Sequence, residues 1–470
     1  MKKQLFVIVV LFVWGGLTPV WGQSTLQERL EQLVKEQLSP ESEAGICVYD
    51  LTTKEYLYGY RENKLCRPAS NMKILTVLTA LSQPDADEPF RTNVWYKGTI
   101  EKGILYGDLY IVGGYDPQFD DFGMDVLIEE IAGFPITSIQ GKIYGDVSMK
   151  DSLYWGSGWS WDDTPYSYQP YLTPLMFNKG IVEITATPTS KGSAAALDIK
   201  PVSSFYTLTN DTQSNTPDAE RFSVSRNWLE NKNDIIVKGN VEGKRTGTVN
   251  MYITQDFFMH TFVERLRNKG LEVDGKYEYK EFIPDSTAVL VACLEQPMQD
   301  VIDDIMKESD NMATEALLCK ATAYRTGNKR VSTEEGLEMI KELIAQIGHD
   351  PEKYQLGDAC GLSDYNTISP ALLVDLLRYA YSDTDIFRKF YKALPIGGVD
   401  GTLKSRMKKG TKAYMNIHAK TGTISGISTL SGYAKAANGH ELVFSVMNQN
   451  TLSGAKARAF QDMVCEIICE

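Results

Sequence analysis

Two textures alternate along this chain, and their arrangement limits the folds it can adopt. Residues 26–38 carry apolar positions at helical spacing (Leu26, Leu30, Leu33, Val34). Residues 45–51 and 55–60 then alternate like strands around Thr52, Thr53 and Lys54, a hairpin pattern. Pro68 and Ala69 lead Ser70 into an apolar helix through Met72, Leu75, Leu78 and Leu81. From about residue 90 to 284 the helical spacing gives way to short β-rich runs broken by Gly, Asn and Asp: 94–100, 104–112, 143–148, 195–199, 234–238 and 248–253. One helix, 255–269, interrupts them. Helical periodicity returns at 301–307, 312–324, 333–348 and 370–381. Strands at 416–420, 429–434 and 441–447 and an amphipathic helix at 454–469 close the chain. The ends thus offer helix–hairpin and strands–helix, which can complete one antiparallel sheet covered by helices. The middle is then a large β-rich insertion, with room for two parts. The expected division is 1–22, 23–89 with 285–470, and 90–284.

Residues 1–22 read as a secretory signal peptide. Lys2 and Lys3 precede a short apolar stretch, and Gly22 offers a small residue before a cut at Gln23. Export predicts a periplasmic location. No later stretch has the length and hydrophobicity of a transmembrane helix. A formal net charge of −13, with no basic run, argues against nucleic acid as a partner. Four His and no C-x-x-C pair leave little for a metal site, and no cofactor is expected. The seven Cys suggest no disulfide framework: Cys47 and Cys319 sit in apolar runs, as ordinary core thiols do.

Three short motifs carry chemistry. S-x-x-K occurs at Ser70–Lys73, Ser405–Lys408 and Ser453–Lys456, and about two such matches are expected by chance in a chain of this size. Only Ser70 opens an apolar helix and precedes both an S-x-N, Ser309–Asn311, and the single K-T-G, Lys420–Gly422, which Thr423 follows. Lys73 then lies one turn beyond Ser70 on the same face. The other two S-x-x-K matches, and Ser225–Asn227, read as turn and cap chemistry.

In this order the motifs resemble those of the penicillin-recognising serine enzymes. Ser309 lies 239 positions beyond Ser70, and such a long gap resembles the low-molecular-mass class C penicillin-binding proteins, the D-alanyl-D-alanine carboxypeptidase/endopeptidases of peptidase family S13. Segments 107–117, 156–163, 361–366 and 394–402 are similar to that family as well. Residues 358–361, Asp-Ala-Cys-Gly, depart from its usual Asp-Gly-Ser-Gly and put that turn in doubt.

The resemblance implies an α+β fold with a penicillin-binding/transpeptidase-like domain. It also implies hydrolysis of peptidoglycan stem peptides and cross-links, with β-lactam antibiotics as covalent inhibitors. Ser70 would be the nucleophile and Lys73 its base, with Lys420 as the cation that lowers the Lys73 pKa. Ser309 would relay the proton, and Asn311 would hold Lys73 or the substrate amide. Lys420 and Thr421 would receive the terminal carboxylate, with Gly422 on the same strand where a ligand backbone can approach closely. The backbone N–H groups of Ser70 and Thr423 would form the oxyanion hole. Asp162, with Asp163 as the alternative, would read a free ammonium on the peptide. A serine β-lactamase and a non-hydrolytic penicillin- or cell-wall-binding protein are the competing readings; the first lacks an E-x-x-L-N segment after the S-D-N.

Overall fold

The computed structural model describes residues 25–84 and 86–470; the expected signal peptide, 1–22, lies outside them. Both ends of the chain build one five-stranded antiparallel sheet. Its order is His418–Ile424, Ile427–Lys435, Glu441–Gln449, Glu43–Asp50, Glu55–Tyr60. The seam between the two ends is the pairing of Glu43–Asp50 with Glu441–Gln449. The Asp50 carboxylate accepts from Thr52 N (2.8 Å) and Thr53 N (3.1 Å), which tightens the hairpin turn that the sequence pattern predicts.

Alternation along these strands feeds two cores. Cys47, Tyr49, Tyr433, Val443 and Met447 face a large helical layer. Ile46, Val48, Leu442, Phe444 and Val446 face the opposite way, against Leu26–Gln37 and Gly454–Ile468. Burial on both faces explains why Glu441–Gln449 reads as a nearly continuous apolar run. The helix Met72–Leu81 is buried at every position. It packs against the helices Asn311–Thr326 and Pro370–Ser382, so the first two motifs share one core.

The middle of the chain forms a six-stranded mixed sheet and two three-stranded sheets around a core that includes Val94, Ile111, Val182, Val237 and Phe258. Two helices pack there: Thr254–Asn268, as expected, and Asp121–Gly133, which the sequence reading lacks. Strand Ala288–Gln296 pairs with Phe90–Glu101 in the six-stranded sheet. From this pairing we propose that the insertion ends after Gln296 and not at the expected residue 284. All seven cysteines are free thiols, and only Cys293 is exposed. Among the described residues no helix is long and apolar enough to cross a membrane.

Candidate active site

Ser70 sits in a 3-10 turn, Ala69–Asn71, that feeds directly into the buried helix. The turn is tied to the sheet from two sides. Thr429 Oγ1 donates to Pro68 O (2.8 Å), and Asn71 Nδ2 donates to Lys420 O (3.3 Å). Strand and turn come so close that a Cβ on Gly422 would lie 3.0 Å from Ser70 N, 2.8 Å from Pro68 O and 2.2 Å from Thr429 Oγ1. The glycine of K-T-G is therefore required by this approach.

Lys73 is fully buried and donates three hydrogen bonds: to Ser70 Oγ (3.0 Å), Asn311 Oδ1 (2.7 Å) and Cys360 O (2.7 Å). Lys420, also fully buried, donates to Ser309 Oγ (2.8 Å) and to Thr421 O (3.0 Å). Ser309, Asp310 and Asn311 thus bridge the two amines. Ser309 holds φ +65°, a left-handed conformation that costs a serine roughly 1–3 kcal/mol and persists only where its surroundings enforce it. The five expected catalytic side chains form two hydrogen-bonded groups, Ser70–Lys73–Asn311 and Ser309–Lys420, joined by the chain from Ser309 to Asn311.

His418–Ile424 is an edge strand of the sheet. Ala419 N donates away from the sheet, to Pro395 O (3.0 Å). The period of two therefore turns the N–H groups of Thr421 and Thr423 to the same open edge. Thr421 Oγ1 donates to Thr402 Oγ1 (2.7 Å), a neighbour contributed by the 394–402 segment.

Burial is the leading reason that the Lys73 amine is less basic than usual, and the surrounding acids, Cys360, Asp358, Asp310 and Glu315, pull its pKa back up. For Lys420, burial again leads and repulsion from Lys73 follows, so its pKa falls well below the ordinary lysine value. Repulsion between two like charges is mutual, so each amine disfavours the charge of the other, with burial as the leading cause at both.

Asp162 is exposed on a short 3-10 turn, Trp161–Asp163, and its Oδ1 accepts from Ser160 Oγ (2.5 Å). Asp163 accepts from Tyr168 OH (2.6 Å), and Tyr168 O accepts from Asn311 Nδ2 (2.8 Å). The acidic turn is thus tethered to the S-D-N motif through one tyrosine. Trp159 Nε1 donates to Asp358 Oδ2 (2.8 Å), which ties the same segment to the 357–366 loop. In that loop the Asp-Ala-Cys-Gly departure forms an ordered turn: Asp358 Oδ1 accepts from Gly361 N (2.8 Å) and Oδ2 from Ser363 N (2.7 Å). Ser453 caps the last helix by accepting from Lys456 N, as its reading as cap chemistry requires.

The sequence reading missed three contributors. Tyr168 and Cys360 act through backbone carbonyls, which leave no residue signature. Lys179, in the insertion, donates to Asp304 (2.5 Å) and to Asp310 (2.6 Å), the middle residue of S-D-N.

A model of the D-Ala-D-Ala carboxypeptidase 3 (S13) family matches residues 26–468. A D-alanyl-D-alanine carboxypeptidase of Actinomadura sp. (strain R39) is 28% identical over 461 residues, covering 95% of this chain and 84% of that protein. The D-alanyl-D-alanine carboxypeptidase DacB of Haemophilus influenzae is 24% identical over 418 residues, covering 87% and 86%. The crystal structure of penicillin binding protein 4 (dacB) from Haemophilus influenzae has the same fold, with a TM-score of 0.80 at 21% identity over 94% of this chain and 99% of that one. With a match that takes in both ends of the chain, the insertion and all three motifs, this chain belongs to the D-Ala-D-Ala carboxypeptidase 3 (S13) family.

Proposed function

We propose that this protein is a serine D-Ala-D-Ala carboxypeptidase and DD-endopeptidase, acting on peptidoglycan stem peptides and cross-links through an acyl-enzyme on Ser70. The observation that carries this reading is the cluster Ser70–Lys73–Asn311 and Ser309–Lys420, with Lys73 at 3.0 Å from Ser70 Oγ. The catalytic steps follow from that geometry. Lys73, made less basic by burial, takes the Ser70 proton as the oxygen attacks the carbonyl before the terminal D-Ala. The oxyanion forms against the N–H groups of Ser70 and Thr423. Ser309 passes a proton to the departing amine, and Lys420 with Thr421 holds the terminal carboxylate. Water then hydrolyses the ester by the reverse proton path.

Penicillins present the same carboxylate and a strained amide, so they acylate Ser70 and stay bound. Export by the 1–22 signal delivers the enzyme to the periplasm, where its substrate lies. Asp162 reads the ammonium of a diamino acid on the stem peptide.

The test is incubation of the purified protein with monomeric and cross-linked muropeptides, with products identified by mass. Loss of terminal D-alanine and release of monomers from dimers is expected. Unchanged muropeptides would overturn the reading, and rapid penicillin turnover in their place would favour a β-lactamase.

A further inference from the structure

Glu315 lies one turn beyond Asn311 on the same helix, so both side chains point to one face. It is buried, and its Oε1 accepts from Ala359 N (2.9 Å) and Cys360 N (3.0 Å). The carbonyl of the same Cys360 accepts from Lys73 (2.7 Å). Thr76, one turn past Lys73, also donates to this loop, at Ala359 O (2.7 Å). Asn311 therefore holds Lys73 directly, and Glu315 holds it through one peptide group. Resting on the function proposed above, we propose that Glu315 is a positioning residue for the Ser70–Lys73 pair, fixing the Cys360 carbonyl against the Lys73 amine and setting the charge that the amine faces.

Among the described residues these two N–H groups have no side-chain acceptor besides Glu315: the Asp358 carboxylate is taken up by Gly361 N, Ser363 N, Asn366 Nδ2 and Trp159 Nε1, and Asn366 Oδ1 by Gly357 N and Asp358 N. Burial pushes the Glu315 carboxyl up to about 7, with repulsion from Asp358 next, and its backbone donors and Lys150 act the other way. In turn Glu315 is among the acids that raise the Lys73 pKa. The charged and titratable groups facing this cluster are Lys73 and Lys420, Asp358 and Cys360 of the loop, Lys150 and Asp151, Tyr115, Asp310 and Cys319.

Two variants separate the two parts of the role. Glu315→Gln keeps an acceptor for both N–H groups and removes the charge. Its benzylpenicillin acylation rate should stay within about threefold of wild type at the plateau. The acid limb of its pH profile should move to lower pH by about half a unit or more, less than the 1–3 units of a direct contact because a peptide group intervenes. Glu315→Asp keeps the charge but withdraws the acceptor by one methylene. Acylation should fall about 10- to 100-fold, as for a displaced catalytic group, with KM for a D-Ala-D-Ala peptide unchanged. Wild-type rates and limbs in both variants would overturn the inference while leaving Ser70 acylation intact. A wild-type protein that takes up no penicillin would overturn the proposed function instead.

Discussion

Substituting Lys179 by Met tests whether the insertion helps to build the catalytic cluster. Lys179 lies at φ +56° beside Asn178 at +49°, two consecutive left-handed residues that aim its side chain out of the insertion. Its amine reaches Asp304 at 2.5 Å and Asp310 at 2.6 Å, with side-chain exposures of 31%, 17% and 12%. Burial works against the charge, but Asp310 and Asp304 outweigh it, so the Lys179 pKa lies above the ordinary value. Asp310 also caps its helix through Ala313 N (2.8 Å) and lies between Ser309 and Asn311. A charge-assisted hydrogen bond is worth about 1.5–3 kcal/mol. Loss of the Asp310 bond alone, felt at the left-handed Ser309, corresponds to a fall of about 10- to 150-fold in rate. Stopped-flow acylation by a chromogenic cephalosporin reads it directly. Asp304→Asn spares the Asp310 bond and should stay within about threefold. A Lys179→Met protein that acylates like wild type would refute the reasoning, as would an Asp304→Asn protein that is equally damaged.

Lys73→Ala should slow acylation by about 10²–10⁴, the range for loss of a general base, and a change below threefold would exclude that role. Asp162→Asn should lower kcat/KM about 10- to 150-fold on peptides with a free side-chain amine and leave benzylpenicillin acylation unchanged; equal losses on both would assign the residue to the fold. Burial raises the Asp116 carboxyl from 3.8 to about 6. The folded state therefore holds a proton that the unfolded state lacks across that window, and stability falls as pH rises from about 4 to 6. Asp116→Asn can still accept from Gln118 N, now at 2.9 Å. It should be more stable than wild type by about 1–3 kcal/mol at pH 7.5 and gain little at pH 4, as read by urea midpoints; an identical pH dependence in the two proteins would refute this.

The parts of the molecule that were legible in the sequence are those written in local patterns. Ser70 and Lys73 are three residues apart, and the short apolar run of Glu441–Gln449 and the apolar stripe of Gly454–Ile468 are read within single elements. The missed parts depend on distant partners or broken patterns. Strand Ala288–Gln296 carries a register shift between Leu290 and Ala292, which breaks its alternation and hid its pairing with Phe90–Glu101. Helix Asp121–Gly133 includes Gly123, a weak helix former, close to its start. Tyr168 and Asn311 meet across 143 positions through a main-chain oxygen, which no side chain announces. Glu315 was within reach, since its i,i+4 spacing from Asn311 already put both on one face. The burial of Lys73 was not, because burial of an amine is a property of the folded core.

The most direct test of the central claim is the mass of the intact protein after incubation with benzylpenicillin, followed by peptide mapping. One covalent adduct on the peptide that contains Ser70, absent from Ser70→Ala, is the predicted result. An adduct that maps to Ser405 or Ser453, or one that persists in Ser70→Ala, would contradict it.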